Sequence, residues 1–148
     1  MDIDYKPKFD QEVYKKAILP PLIWWAIVQF TWLIFSFLDA SQNTNGDSTV
    51  EVLAWNGYAV ELLILFGAWV GLATIKNGGN AADGFISGII LGFGAWLIWW
   101  IFFGLLNGAD NTDFARDHLS KLWIFMFYHA AGAGTFAGIA ENLTSSRY

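Results

Sequence analysis

The sequence predicts an all-α integral membrane protein, a bundle of four transmembrane helices, on two observations. Hydrophobic residues make up 55% of the 148-residue chain and charged residues only 14%, against about 25% charged residues in an ordinary soluble domain. A soluble fold of about 150 residues still exposes roughly 30% of its unfolded-chain surface, so it could not hide this much apolar surface. The second observation is that four long apolar runs divide the chain.

The four runs give the predicted helices in order. A bilayer core of about 30 Å is crossed by about 20 apolar helical residues, and the runs cover residues 17–38, 52–75, 84–106 and 122–140. Each run must be helical, because lipid offers no partner to an open backbone group. Pro20 and Pro21 are expected in the first turn of the first helix, where a missing N–H costs little. Residues 1–148 therefore form a single membrane domain.

The distribution of basic residues predicts the orientation. With four spans, Arg116 and Lys121 lie on one side of the membrane. The other side carries the remaining basic residues, Lys6, Lys8, Lys15, Lys16, Lys76 and Arg147. Because Lys and Arg in short flanking segments stay in the cytoplasm, both termini are expected to be cytoplasmic.

Composition and motifs exclude several functional classes. The chain has no cysteine, which excludes disulfides, cysteine-ligated metal centres and a cysteine nucleophile. A net charge of −5 with few basic residues argues against nucleic-acid binding. The sequence contains no Gly-rich phosphate loop, no G-x-S-x-G elbow and no H-E-x-x-H motif. The sequence thus favours a protein that is not itself an enzyme.

An internal repeat is suggested by a gapless shift of 68 residues. The shift overlays residues 32–44 on 100–112, Trp55 on Trp123 and Glu61 on His129. Such an overlay predicts a 2+2 arrangement, two helical hairpins related by a pseudo-twofold axis along the membrane normal. The alternative is similarity of composition alone, since chains rich in Trp, Phe and Leu also overlay by accident.

Small residues at helical spacing predict where the helices touch, because helix association in lipid relies on close packing. The glycines at this spacing occur on the last three runs and are Gly67, Gly71, Gly84, Gly88, Gly92, Gly134 and Gly138. The first run contains no glycine. We therefore expect the first helix to be peripheral, facing lipid or a partner subunit.

Glu61 and His129 are the two ionisable groups inside the apolar runs. A charge at the bilayer centre costs at least about 2.5 kcal/mol, so such residues usually face the bundle and find a partner. Both stand about nine residues below the outer end of their helix, by the spacing used for the spans. Equal depth predicts a Glu61–His129 hydrogen bond.

Three interpretations of this pair remain open at the level of the sequence. The pair is a structural interhelical hydrogen bond, or it moves protons or holds a cation. Alternatively, His129 ligates a tetrapyrrole or the site serves a quinone. No cofactor is required by the sequence. Outside the spans, a weak metal site is conceivable at Asp110, Asp113, Asp117 and His118, against solvated acidic loops as the alternative.

Two stretches resemble the DoxX/DoxD-like family of small four-helix membrane proteins. They are residues 60–76, with Glu61 and its glycines, and the Gly-rich residues 131–138. The resemblance implies a four-helix membrane protein, in some members a subunit of a thiosulfate:quinone oxidoreductase or another membrane redox complex. Thr135 stands where the family usually has Arg, and Ala140 where it has Asp. These departures favour a structural role over catalysis.

The leading hypothesis is a non-catalytic accessory subunit of a larger membrane protein complex, such as an energy-conversion or redox complex. Its partners are the lipid bilayer and, through the first helix, other membrane subunits. Its expected location is a prokaryotic cytoplasmic membrane. Two alternatives remain: a quinone-linked redox subunit, at most part of a membrane oxidoreductase, and a small oligomeric transporter of protons, ions or small molecules that uses Glu61.

Overall fold

Four α-helices make up the fold in a computed structural model that describes residues 6–42, 59–107 and 112–145. They are α1 (Gln11–Gln42), α2 (Ala59–Lys76), α3 (Ala81–Asn107) and α4 (Thr112–Ser145), and the described ranges contain no strand. Side chains are described for residues 6–31, 34, 64–101, 119 and 121–144. The all-α prediction is confirmed for this part of the chain.

The helices alternate in direction. A four-residue connection, residues 77–80, joins α2 to α3. The start of α1 reaches this connection, because Lys8 Nζ donates to the carbonyl of Gly78. The last part of α4 reaches it too, because Glu141 accepts from the backbone N–H of Ala81. The N-terminal segment, the α2–α3 connection and the end of α4 thus share one end of the bundle, which we call the turn end.

The α2–α3 connection is built from residues suited to ending one helix and starting the next. Gly78 adopts a φ of 92°, the left-handed conformation that commonly closes a helix. Asn80 then caps α3: its Oδ1 accepts from Asp83 N at 3.0 Å, and Asp83 Oδ2 accepts from Asn80 N at 3.1 Å. This reciprocal pair is a capping box.

Helix α4 packs tightly on both α2 and α3, through glycines. A Cβ on Gly67 of α2 would lie 2.6 Å from the carbonyl oxygen of His129, and one on Gly88 of α3 would lie 2.5 Å from the same atom. Gly71 approaches the backbone of Ala133 in the same way. Such distances leave no room for a side chain, so these three helices form a closely packed core.

Helix α1 lies on the other side of the α2–α3 pair from α4. It contacts α2 and α3, whereas its backbone is not within contact distance of α4 in the described residues. A 2+2 repeat would place α1 against α4 as α3 lies against α2, and the packing departs from this expectation. The physical reason is that α1 has no glycine with which to approach α4 closely.

The helix limits differ from the apolar runs at the N terminus. Helix α1 begins at Gln11, before the first run, so Pro20 and Pro21 lie inside the helix and not in its first turn. Their missing N–H groups leave the carbonyls of Lys16 and Ala17 without the usual helical donor. The helix begins before the apolar run because residues 11–16, which precede the run, include polar residues with good helix propensity.

Two helices in the described part of the chain are long and apolar enough to cross a membrane. They are Ala81–Ile101 of α3 and Lys121–Thr144 of α4, and a shorter apolar helix covers Ile64–Lys76. The α3 segment overlaps the third predicted run, residues 84–106, and the α4 segment overlaps the fourth, residues 122–140. The shorter α2 segment overlaps the second run, residues 52–75. Residues 52–58 of the second predicted run are outside the described residues.

Candidate functional site

His129 is the buried ionisable group at the centre of the bundle. Its side chain is fully buried, and its Nδ1 lies 2.7 Å from the carbonyl oxygen of Phe125. A carbonyl only accepts, so Nδ1 carries the hydrogen and Nε2 carries a lone pair. Nε2 is buried without a hydrogen-bond partner in the described structure. Such an unsatisfied buried atom is rare and calls for a physical explanation.

Aromatic rings enclose the imidazole. Trp25 of α1 meets it edge-on, with ring centroids 5.7 Å apart, and Phe125 stacks on it at 6.4 Å. Trp25 also makes edge contacts with Phe66 of α2 at 5.3 Å, and its Nε1 donates to the carbonyl of Ala95 of α3 at 3.1 Å. One indole therefore contacts all three other helices, because it spans the gap that separates α1 from α4.

The backbone of His129 explains why the imidazole lies where it does. Its carbonyl oxygen is held between Gly67 and Gly88, so α2 and α3 both come closest to α4 at this turn. Glycine Cα–H groups this near to a carbonyl oxygen make weak stabilising contacts. With both sides occupied by backbone, the imidazole contacts Trp25 of α1.

Glu61 lies on α2, but its side chain is outside the described residues. Gly67 lies at the level of His129 and Gly71 at the level of Ala133, and this register places the Glu61 backbone six residues further from the turn end. At 1.5 Å per residue this is about 9 Å. The helix register thus does not keep the equal depth expected from the sequence, and the Glu61–His129 hydrogen bond stays a prediction.

The chemistry open to His129 follows from its tautomer. A neutral imidazole with a free Nε2 can accept a hydrogen bond, take a proton or ligate a metal. No cluster of three or more His, Asp or Glu residues that could hold a metal occurs among the described residues. A tetrapyrrole on Nε2 would have to displace rings such as Trp25, so His129 as a cofactor ligand stays a prediction.

The predicted packing glycines fall into two groups. Gly67, Gly71, Gly84, Gly88 and Gly92 each lie against α4 so closely that a Cβ would clash. On α4 itself, a Cβ on Gly134 would lie nearest to the Phe85 side chain, at 3.2 Å, and a Cβ on Gly138 would meet no other helix within 4 Å in the described residues. Among the described helices, the expected packing role of Gly138 is therefore wrong.

Two of the α4 residues that face its neighbours, the buried Ala133 and Ala137, are each one position before an expected glycine. The buried Ala130 also faces them, and so does Gly132, whose Cβ would lie 2.8 Å from the carbonyl oxygen of Ile64. Alanine is small enough to oppose a glycine on the facing helix. The glycine spacing on α4 was thus a misleading signal, and the alanine spacing was the informative one.

A second buried polar site lies at the turn end, around Asp83, which sequence reasoning missed. Asp83 directly precedes the third apolar run, residues 84–106, and so lies between two predicted helices. Its side chain is 1% exposed. Oδ1 accepts from the backbone N–H of Lys8 at 2.9 Å and from the Tyr14 hydroxyl at 2.7 Å. The signal available in the sequence was Asn80 three residues before Asp83, the spacing of a capping box.

This carboxylate fastens the N-terminal segment to the bundle. Phe9 N also approaches Oδ1, at 3.4 Å, and Asn80 Nδ2 donates to the carbonyl of Lys6 at 2.7 Å. Burial, the hydrogen bond to Asp83 and the charge of that carboxylate raise the pKa of Tyr14 well above its ordinary value. Every oxygen of Asp83 thus has a donor, so the site serves structure and needs no ligand.

The predicted metal candidates lie elsewhere. Asp110 is outside the described residues, as are the side chains of Asp113, Asp117 and His118. The weak loop metal site therefore stays a prediction.

Comparisons of the chain with protein-family models, with curated proteins and with solved structures found no match. The DoxX/DoxD-like relationship stays a prediction from the residues quoted above.

Proposed function

We propose that this chain is an integral membrane protein of four spans that acts as a non-catalytic accessory subunit of a larger membrane protein complex. The observation that carries the proposal is the placement of large apolar side chains on the outside of every helix. Among those at least 44% exposed are Ile23, Trp24, Leu65, Phe93, Trp100, Trp123 and Phe127. Soluble monomers rarely expose apolar patches larger than a few hundred Å².

The interior supports the same proposal by contrast. The closest backbone contacts between α4 and its neighbours are formed by Gly and Ala, while many large apolar side chains, such as Leu65, Phe93 and Trp123, are exposed. A water-soluble bundle buries its large side chains to gain hydrophobic free energy. In lipid this gain is absent between helices, and close backbone packing at small residues takes its place. Close backbone contacts at small residues, with large apolar side chains exposed on the outside, support insertion in a bilayer.

The charges support an orientation with the turn end in the cytoplasm. Among the described residues, Lys6, Lys8, Lys15, Lys16 and Lys76 lie toward this end, and Arg116 and Lys121 toward the other. This is the asymmetry of the positive-inside rule. The asymmetry supports an orientation with both termini in the cytoplasm, and the membrane that we propose is the cytoplasmic membrane of a prokaryote.

An accessory role is supported by what the described polar side chains do. Asp83, Asn80 and Glu141 serve backbone N–H groups at helix ends. Thr74 and Thr31 donate to carbonyls one turn back in their own helices. Helix α1 has an exposed apolar face that includes Ile23, Trp24 and Ile27. Within the bilayer, this face is the surface that we propose for a partner subunit of an energy-conversion or redox complex.

Gentle detergent extraction, followed by size measurement and mass spectrometry, tests the proposal. We expect the chain to remain with membranes under alkaline washing and to elute in detergent with other subunits. Serine at both Ile23 and Ile27 on α1 should release the partners, whereas serine at both Ile90 and Phe93 on α3 is the matched control. Release without detergent would refute membrane insertion, and a clean monomer or homodimer would refute the accessory role.

Orientation has its own test. A tag after Tyr148 should be protected from a membrane-impermeant reagent in intact cells and react after the cells are opened. Reaction in intact cells would place the turn end outside.

A second candidate, a proton or ion conduit, is favoured by the free Nε2 of His129 in the bundle centre. In vesicles, Glu61→Gln should then abolish flux while the thermal midpoint is kept. Equal flux in wild type and variant would contradict a conduit through Glu61.

A further inference from the structure

Helix α1 consists of two parts that meet at Pro20 and Pro21. Each proline lacks an N–H group and leaves the carbonyl four residues earlier without its helical donor. Prolines are a usual place at which a long helix bends. We call residues 11–19 the inner part of α1, because it lies toward the turn end, and residues 22–31 the outer part.

The inner part of α1 is fixed to the turn end by polar contacts. The hydroxyl of Tyr14 donates to Asp83 Oδ1 at 2.7 Å, and the same carboxylate accepts from the backbone N–H of Lys8, just before the helix. Val13 and Ala17, four residues apart on α1, are also buried. The prolines therefore follow a part of the helix that is anchored to the rest of the bundle.

The outer part of α1 contacts the bundle through side chains. The indole Nε1 of Trp25 donates to the carbonyl of Ala95 on α3 at 3.1 Å. A Cβ on Gly94 of α3 would lie 3.0 Å from Leu22 Cδ1, a side-chain atom, whereas one on Gly88 would meet the backbone of α4. Because side chains can change rotamer, this contact can open while α2, α3 and α4 stay packed.

Trp25 covers the imidazole of His129 on the side of α1. The two rings meet edge-on with their centroids 5.7 Å apart, and His129 is fully buried. Its Nε2 carries a lone pair and has no hydrogen-bond partner in the described structure. The backbones of α2 and α3 close the other sides at Gly67 and Gly88. Trp25 is therefore the part of this enclosure that a bend in α1 can remove.

We propose that α1 is a hinged gate to the Nε2 atom of His129. The outer part bends at Pro20 and Pro21, the hydrogen bond from Trp25 to Ala95 breaks, and Nε2 becomes accessible. The ligand that it then takes is a small molecule with a polar O–H or N–H group, because a lone pair only accepts. Such a donor relieves the cost of an unsatisfied buried nitrogen and so favours the open form. The gate goes beyond the accessory role and rests neither on that role nor on membrane insertion.

Diethyl pyrocarbonate is a suitable probe, because it modifies a neutral imidazole at a nitrogen lone pair. The nitrogen attacks a carbonyl carbon, an N–C bond forms, and a C–O bond of the anhydride breaks. The ethyl carbonate that leaves takes up the N–H proton of the ring and decomposes to carbon dioxide and ethanol. His118→Gln removes the other histidine. In this background, mass spectrometry of peptides from the detergent-purified chain gives the rate at His129, which we expect to be slow.

Trp25→Phe tests the gate itself. The variant keeps an aromatic ring but loses the bond to Ala95, so the rate at His129 should rise by about fivefold, the scale of one neutral hydrogen bond. Trp24→Phe is the matched control, because Trp24 is exposed on the same helix, and it should leave the rate unchanged. An unchanged rate in Trp25→Phe would overturn the gate. An equal rise in modification of Tyr14, on the inner part, would overturn it too, because the whole bundle would then be opening.

Pro20→Ala tests the hinge. Pro20 is exposed, so alanine leaves no cavity and restores the N–H donor for the carbonyl of Lys16. The rate at His129 should fall by about fivefold, since bending must now break one more hydrogen bond. Leu19→Ala, at the exposed neighbouring position, should leave the rate unchanged. An unchanged or faster reaction in Pro20→Ala would overturn bending at the prolines. This variant removes a helix breaker, so it tests the proposal even if Trp25→Phe does not fold.

Discussion

The bundle treats buried polar groups in opposite ways at its turn end and at its centre. At the turn end, Asp83 is 1% exposed, and its two oxygens accept from Lys8, Phe9, Tyr14 and Asn80. At the centre, His129 is equally buried, yet its Nε2 has no partner in the described structure.

The difference teaches where each polar group matters. The carboxylate of Asp83 joins three separate segments of the chain, so its removal leaves several donors without an acceptor. The imidazole of His129 makes a single local bond to its own helix and otherwise behaves as an aromatic ring. The backbone of His129, held between two glycines, contributes more to packing than its side chain does.

The largest expected effect comes from closing the glycine contact at the level of His129. Leu in place of Gly88 would place its Cβ 2.5 Å from the carbonyl oxygen of His129 and 2.7 Å from the Cα of Ala130. Because backbone atoms cannot move aside, we expect a loss of about 3 kcal/mol or of the folded bundle. Unfolding in detergent, monitored by circular dichroism, measures this loss of unfolding free energy.

The control for this substitution is Gly138→Ala. A Cβ on Gly138 would meet no other helix within 4 Å in the described residues, and alanine favours the helix, so we expect a gain of about 0.5–1 kcal/mol. Equal stability of the Gly88 variant and wild type would show that α3 and α4 are not in close contact.

The second largest loss of stability is expected for Asp83→Ala at the turn end. Four donors lose their acceptor, and a hydrogen bond to a charged group contributes about 1.5–3 kcal/mol, so we expect a loss on the order of 3 kcal/mol. The N-terminal segment, residues 6–10, should also be cleaved faster by protease. Asp10→Ala, which removes one exposed capping bond, should cost about 1 kcal/mol. Equal protease resistance in the Asp83 variant and wild type would contradict its fastening role.

A third, smaller effect is the alkaline pH dependence of Tyr14. Its folded pKa is raised, so its stabilisation is complete below the unfolded value of about 10 and is lost as pH rises above that value. Above pH about 10 the unfolded chain releases the proton first, and stability falls by up to about 1.4 kcal/mol per pH unit. Tyr14→Phe should lack this part of the slope in thermal midpoints. If the thermal midpoint falls with pH equally steeply in wild type and in the variant, the proton that is released above pH about 10 comes from other tyrosines.

The smallest effect is expected for His129→Phe. The substitution keeps an aromatic ring, removes an unsatisfied nitrogen and loses one local bond, so we expect a change within about 1 kcal/mol. If Glu61 donates to Nε2, the same substitution costs more, and a double-mutant cycle with Glu61→Gln shows coupling above about 0.5 kcal/mol. A coupling free energy near zero would show that Glu61 has another partner. The imidazole of His129 would then lack a partner at Nε2, in contrast to the fully hydrogen-bonded Asp83.

The sequence was informative where a physical signal is local. Apolar runs predicted the helices, because backbone hydrogen bonding within a helix depends on residues that are near one another in the sequence. Helical glycine spacing predicted Gly67 and Gly88 on α2 and α3, but misplaced the contact face of α4 onto Gly138. A glycine row shows that close approach is allowed, and only the facing helix decides whether it is used.

By itself, then, the sequence determined a helical fold with small residues on helix faces and most of its lysines toward one end. Tertiary structure alone decided that α1 and α4 lie on opposite sides of the α2–α3 pair, with Trp25 spanning between them. It also decided that Asp83 meets Tyr14, 69 residues away along the chain, and that Glu61 is offset from His129. These relations depend on helix register, which is set by the summed packing of three or four helices at once, and no local pattern of residues contains that sum.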